Sequence, residues 1–419
     1  MKNLILTKSK YLILVSKLLI IVFVFGIYSC NENKKEINSN SLLAIYNNEI
    51  QDKNIITAAN QTELYLPLLK GKKVAIVGNH TSLIFKNKNK DHVHLVDSLL
   101  SLDVNIINVF APEHGFRGKA DAGEHIVDDI DVKTGLPIIS LHGKNRKPLP
   151  EVLKGIDIII FDIQDVGVRF YTYISTMSNV MEAAAENNTP VIVFDRPNPN
   201  GHFVDGPTLE IEHKSFVGFH PIPLVYGMTI GEYAKMVNGE KWLKDGIQCD
   251  LKVISLKNYT HDATYQLPIR PSPNLPNDKS INLYPGLGFF EGTIINAGRG
   301  TEFQFQRYGA PFFPKTKFSY TPQPNFGSKY PKFKGELCYG VDLTNTPRLS
   351  KVDISGLIDA YHKTPKDKDF FGKTFTIHAG TLELQKQIEA GMTAEEIRVT
   401  WQEDVEKFKK VRSKYLIYD

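Results

Sequence analysis

The chain has 419 residues, 42% hydrophobic and 23% charged, an ordinary globular composition and enough length for two domains at roughly 150 residues each. The formal net charge of +4 is small for this length, and part of it comes from Lys2, Lys8, Lys10 and Lys17 near the N-terminus. No module concentrates Lys and Arg, which excludes a nucleic-acid partner.

In chain order, residues 1–30 read as a targeting signal. Lysines precede an apolar run, Leu18–Ile27, that is too short to cross a bilayer comfortably. The run ends in Ser29-Cys30, the pattern of a bacterial lipoprotein signal in which Cys30 becomes the lipidated N-terminus. The alternative is an ordinary secretory signal or an uncleaved anchor. The lipoprotein reading puts the protein in the cell envelope, tied to a membrane only by its lipid and facing the periplasm or the cell surface. Residues 31–53, rich in Asn, Lys and Glu, are a polar tether with little to bury. Cys249 and Cys338 are the other cysteines; one disulfide is conceivable, and two buried free thiols fit the spacing better.

From Lys72 onward, short apolar runs alternate with helical segments. Strands are expected at Lys73–Gly78, Val104–Phe110, Leu136–Leu141, Asp157–Phe161 and Pro190–Phe194, with a further one within Cys249–Leu256. Helices are expected at His94–Leu102, Pro150–Lys154, Tyr173–Asn187 and Thr229–Asn238. Near-continuous apolar strands separated by helices predict an α/β fold, a mostly parallel sheet covered on both faces. The expected domains are a Rossmann-like catalytic domain at 54–260 and a smaller C-terminal α+β domain at 261–419 that completes a cleft. The second part is Pro-, Gly- and aromatic-rich and ends in a long amphipathic helix. There Thr393 and Glu396 form a capping box, and Ile397, Trp401, Val405, Phe408, Val411 and Tyr415 make one apolar stripe.

Each expected parallel strand stops in polar sequence, and in such sheets ligands bind beyond the carboxyl ends of the strands. Asn79, His80, Glu113, His114, His142, Asp162, Asp165, Asp195, Arg196 and Asn198 therefore converge on one rim, with Arg169 and Tyr171 beside Asp165. The densest stretch is APEHGFRGKADAGE at 111–124, which carries Glu113, His114, Arg117, Lys119, Asp121 and Glu124. There is no dinucleotide G-x-G-x-x-G, no P-loop, no G-x-S-x-G and no H-E-x-x-H, so no cofactor is expected. Paired carboxylates among aromatic and amide side chains suit glycoside hydrolysis. Two other readings stay open: a metal-dependent phosphoesterase or amidase using Asp162, Asp165, Glu113, His114 and His80, and a saccharide-binding lipoprotein without catalysis.

The motifs APEHGFRG, AGE, GKNRKP at 143–148, FDIQDVGVRFYTY at 161–173, FDRPNPNG at 194–201, RPSPNLP at 270–276, EGT at 291–293 and GRGT at 298–301 occur in order along the mature chain. In this the sequence resembles the exo-β-N-acetylmuramidases of the NamZ type. It departs from that family in carrying His142 where a Tyr is usual, His202 where a Gly is frequent, and Ala297 where some members have an acid. The resemblance implies release of non-reducing-terminal N-acetylmuramic acid from peptidoglycan fragments, with Glu113 as the catalytic carboxylate acting as general acid. Glu124, ahead of Asp165, is the expected second carboxylate. Arg117, Arg169 or Arg299 is expected to meet the lactyl carboxylate, and Glu291, Arg299 and Thr301 to line the site from the C-terminal side.

Overall fold

Where strands are buried on both faces, every residue can be apolar, and the central strands here show that pattern. The computed structural model describes residues 55–86, 91–118 and 128–419. The expectations for Cys30 and the tether, and for Lys119, Asp121 and Glu124, lie outside the described residues.

The main sheet is built from β1 (Val74–Gly78), β4 (Ile106–Ala111), β5 (Asp129–Ile130), β6 (Pro137–Ser140), β7 (Ile158–Asp162), β8 (Val191–Phe194) and β9 (Leu251–Ile254). A separate hairpin pairs β2 (Leu83–Lys86) with β3 (Asp91–His94). The order in the main sheet is β5-β6-β4-β1-β7-β8-β9, and all neighbours are parallel except β5 and β6. The expected α/β class is therefore the observed one, with strand limits close to those read from the sequence. All five residues of β1 and of β7 are buried. Alternate side chains enter opposite apolar layers: Val74, Ile76, Ile158 and Ile160 face Tyr65, Leu95 and Leu99, whereas Ala75, Val77, Ile159 and Phe161 face Ile174, Met177 and Val180 of the helix Tyr173–Glu186.

The C-terminal region is smaller and mixed. Strands β10 (Arg307–Ala310), β11 (Ser319–Tyr320) and β12 (Cys338–Asp342) form an antiparallel sheet in the order β10-β12-β11. Its apolar residues, among them Phe289, Phe290, Phe375, Ile388, Ile397 and Trp401, continue the layer that contains Ile174 and Met177. Cys249 and Cys338 are both buried free thiols.

One expectation needs adjustment. The long C-terminal helix is two helices, Ala394–Thr400 and Gln402–Arg412, meeting at Trp401. The capping box of Thr393 and Glu396 is present, and Ile397, Trp401, Val405 and Phe408 are buried as the stripe requires. At the junction Trp401 Nε1 donates to Asp205 Oδ1 at 2.9 Å. Asp205, only 1% exposed, also accepts from the Val352 amide, Arg398 Nε and Gln402 Nε2. One buried carboxylate thus collects donors from two separate segments, Val352 and the stretch 398–402. Removing it leaves those donors without an acceptor, so Asp205→Ala is expected to destabilise the fold by about 3 kcal/mol. Urea denaturation of the variant beside the parent checks this; a loss below about 1 kcal/mol would refute the anchoring role.

Candidate active site

Parallel pairing sets the carboxyl ends of β4, β1 and β7 side by side, with Gly78 of β1 opposite Asp162 of β7. The loop after β4 begins Pro112-Glu113-His114-Gly115, and both His114 and Gly115 hold positive φ, 72° and 74°. This sharp reversal turns Glu113 back toward the segment that follows β7. There Thr172 Oγ1 donates to Glu113 Oε2 at 3.1 Å, and Tyr173 Oη donates to the Glu113 carbonyl at 3.3 Å. The Tyr173 hydroxyl in turn accepts from Asn79 Nδ2 at 2.9 Å. Carboxylate and backbone of Glu113 are therefore fixed from one short segment, Thr172-Tyr173, while Glu113 itself stays half-exposed.

His80 lies against the same loop. Its Nε2 is 3.0 Å from the Arg270 carbonyl, which makes Nε2 the protonated nitrogen. Burial pushes its pKa below the usual histidine value, with the nearby His114 adding to the effect, so the ring is neutral at physiological pH. Gly118, at φ 71°, permits the contact: a Cβ there would come 2.6 Å from His80 Cγ. Tyr171 Oη donates to the Pro271 carbonyl at 2.8 Å, so the segment 270–275 is held at the rim from two sides. His142 is half-exposed at the end of β6.

Several residues expected to touch substrate are internal instead. Asp162 and Arg196, 0% and 3% exposed, form a bidentate pair at 2.6 and 2.8 Å, and Arg196 also donates to the Leu83 carbonyl. Asp195, fully buried, accepts from the Gly231 amide, Thr229 Oγ1 and Tyr418 Oη, which caps the helix Ile230–Gly239. Asn198 is occupied by the Met228 carbonyl and the Asn200 amide. Asn79, also fully buried, serves as the brace just described and as acceptor for Thr81. Arg169 is fully buried and donates to the carbonyls of Pro207, Ile222, His378 and Ala379. Arg117 is drawn away by Asp131 and Asp97, at 2.7 and 3.1 Å. Burial opposes its charge, but those two carboxylates outweigh it and raise its pKa. Thr301 spends its hydroxyl on the Gly298 carbonyl, closing a turn. The physical reason is that each of these groups is already engaged within the protein, most of them out of reach of solvent, and an engaged polar group has little left to offer a ligand.

Asp165 is a special case. Its Oδ2 accepts from the Gly167 amide and from Tyr226 Oη, whereas its buried Oδ1 has no partner. Burial pushes its pKa up to about 7, against the lowering effect of those donors. Tyr171, Tyr173, Tyr226, Tyr233 and Tyr284 all feel its charge, so Asp165 lies behind a wall of tyrosines and is 4% exposed.

The other side of the rim comes from the C-terminal region. Arg299 Nη1 donates to Glu291 Oε2 at 2.8 Å, and Arg299 Nη2 to the Gly327 carbonyl at 3.2 Å. Desolvation works against the Glu291 charge, but Arg299, Lys332 and His378 together hold its pKa below the usual range. Lys332 Nζ donates to the carbonyls of Phe290, Thr293 and Ile295. Tyr284 joins the two sides. Its ring lies 5.0 Å from Phe170 and 6.4 Å from Tyr171, and its hydroxyl feels Glu291, Glu113, Arg299 and Asp165. The sequence does not single out Thr172, Tyr284, Lys332 and His378. Thr172 sits inside the motif at 161–173, while the other three carry no signal that marks them for a site.

Along most of its length the chain is similar to known proteins. Residues 74–279 match the family model described as exo-β-N-acetylmuramidase NamZ, N-terminal, and residues 282–418 match its C-terminal counterpart. The peptidoglycan β-N-acetylmuramidase NamZ of Bacillus subtilis (strain 168) is 40% identical over 376 residues, covering 84% of this chain and 89% of that one. A crystal structure of a DUF1343 family protein from Bacteroides fragilis NCTC 9343 superposes with a TM-score of 0.80 at 46% identity, over 87% of this chain and 99% of that chain. A second protein of that description from the same organism gives a TM-score of 0.74 at 32% identity, over 87% and 99%. With both family models matched in order, this chain belongs to the exo-β-N-acetylmuramidase NamZ family.

Proposed function

We propose that the protein is an exo-acting glycosidase that releases N-acetylmuramic acid from the non-reducing end of peptidoglycan fragments, with Glu113 as general acid. The observation that carries this reading is the Glu113 carboxylate, half-exposed at the carboxyl end of β4 and fixed by Thr172 Oγ1. A held carboxyl group can deliver its proton to one glycosidic oxygen without first being ordered. The name of the Bacillus subtilis relative, peptidoglycan β-N-acetylmuramidase, supplies the substrate class.

For the second carboxylate the proposal is Glu124. Asp165 is enclosed by tyrosines, and Glu291 is engaged by Arg299, so neither described carboxylate is free to approach the opposite face of a sugar. The metal reading finds no support at the strand ends among the described residues. Among the described residues the group with convergent ligand atoms is Glu210, Glu212 and His213, on a turn that ends no strand of the sheet. The N-terminal segment supports anchoring of the mature protein to an envelope membrane through lipid on Cys30.

Glu113→Gln is expected to lower release of muramic acid from a chromogenic N-acetylmuramic acid glycoside by about 10³-fold with unchanged thermal unfolding. Near-parental turnover would sink the assignment. Thr172→Val, which keeps the shape and removes the hydroxyl, should cost about tenfold in kcat. Activity is expected to persist in EDTA; abolition that added divalent cation restores would instead favour the metal-dependent alternative. Cys30→Ala should move the protein from the membrane to the soluble fraction and prevent incorporation of labelled fatty acid. An unchanged membrane fraction would leave the lipid anchor without support.

A further inference from the structure

We infer that Arg299 is the specificity-determining residue of the site, the group that meets a carboxylate on the sugar being released. The inference rests on the proposed reading above, because the lactyl carboxylate is what distinguishes N-acetylmuramic acid from N-acetylglucosamine.

Three arginines were candidates for that contact, and the structure leaves one. Arg117 is committed to Asp131 and Asp97, and Arg169 is sealed among carbonyls. Arg299 differs from Arg169 in exposure, 24% against 0%, and from Arg117 in its Nε–H, which among the described residues is a buried donor without a partner whereas Arg117 Nε is spent on Asp131. A guanidinium has five N–H donors. Glu291 and the Gly327 carbonyl each take one from the Nη1 and Nη2 groups, which leaves a donor edge unspent. Those two contacts fix its orientation without exhausting it.

The charge balance points the same way. Glu291 is paired with Arg299 at 2.8 Å, and Lys332, whose pKa burial lowers against the raising effect of Glu291, adds a second cation nearby. Two cations share one carboxylate, so the cluster carries an excess positive charge that an anionic substrate group would neutralise. Its location is suitable: the Gly327 carbonyl that accepts from Arg299 Nη2 also accepts from Asn274 Nδ2, in the segment that His80 and Tyr171 hold at the rim. The backbone presents Arg299 rigidly. Gly298 and Gly300 flank it at φ 78° and 80°, and a Cβ on them would come 2.5 Å from the Phe303 carbonyl oxygen and 2.7 Å from Pro331. Planar, bidentate recognition of a carboxylate is the task to which a guanidinium is better matched than an ammonium.

The test uses the full mature chain with matched chromogenic glycosides of N-acetylmuramic acid and N-acetylglucosamine. Arg299→Met is expected to lower kcat/KM for the muramic acid glycoside by about 100-fold, while any activity on the glucosamine glycoside changes by no more than a few-fold. Arg299→Lys, which keeps the charge but not the fork, should fall between. An equal loss on both glycosides would overturn the inference and make Arg299 merely structural. Calorimetric binding of free N-acetylmuramic acid and N-acetylglucosamine to the Glu113→Gln protein, with and without Arg299→Met, separates this inference from the proposed activity. Muramic acid binding that depends on Arg299, in a protein that turns over neither glycoside, would refute the activity and keep the carboxylate site. Turnover of the muramic acid glycoside with binding indifferent to Arg299 would do the reverse, and failure to bind either sugar would overturn the inference as well.

Discussion

A single buried guanidinium ties the two sides of the candidate site together. Arg169 comes from the segment after β7, yet its four carbonyl partners belong to two distant stretches: Pro207 and Ile222 on one hand, His378 and Ala379 on the other. Taking a cation out of water is costly, and burial pushes this one down to about 9, still protonated at neutral pH. Its charge is offset by carbonyl dipoles alone among its hydrogen-bond partners. That arrangement needs close backbone approach, which Gly380 permits: at φ 77°, a Cβ there would sit 2.4 Å from Arg169 Nη2. Because Phe170 and Tyr171 follow directly, the same anchor sets the aromatic floor on which Tyr284 rests.

The strands were legible because burial on both faces leaves an unbroken apolar signature that few other structures produce. Glu113 was legible because a charged, Gly-punctuated loop directly after such a strand must lie at the sheet's carboxyl edge. What the residue types alone did not reveal is which way each polar side chain turns. Asp162 and Asp195 follow their strands just as Glu113 does, but one closes on Arg196 and the other on a helix N-terminus. The local pattern is the same in both cases; the partners that decide it lie 34 and 36 residues away. The break at Trp401 was invisible for a similar reason, since the apolar stripe runs on across it and only the indole's contact with Asp205 marks the place.

Burial also sorts the carboxylates into two electrostatic classes. Asp165 and Asp195 are each pushed up to about 7 by desolvation, and both accept from tyrosine hydroxyls and backbone amides in the interior. Glu291 is pulled the other way by neighbouring cations. The enclosed pair therefore contributes to the framework as hydrogen-bond acceptors near their point of neutralisation, and the charges available to a ligand are those that remain partly exposed. Glu291 and Arg299, paired at 2.8 Å and each about a quarter exposed, belong to that second group.

The C-terminal tail extends this logic to the whole chain. Tyr418 Oη donates to Asp195 Oδ2, while the amides of Ile417 and Tyr418 donate to Glu232 Oε1. Glu232 Oε2 in turn meets His261 Nε2 at 2.8 Å, and the Asp419 carbonyl accepts from the His261 amide. The last residues of the sequence thus complete the capping of the helix that follows β8. Desolvation raises the Glu232 pKa less than His261 and the tail amides lower it, so its negative charge persists beside Asp195 and contributes to the upward push on that group. A carboxylate that remained unpaired there would destabilise the carboxyl edge of the sheet; the tail removes that cost by supplying donors to both acids at once. Residues from the opposite end of the chain thus hold the carboxyl end of β8, in the same sheet whose β4 leads into Glu113.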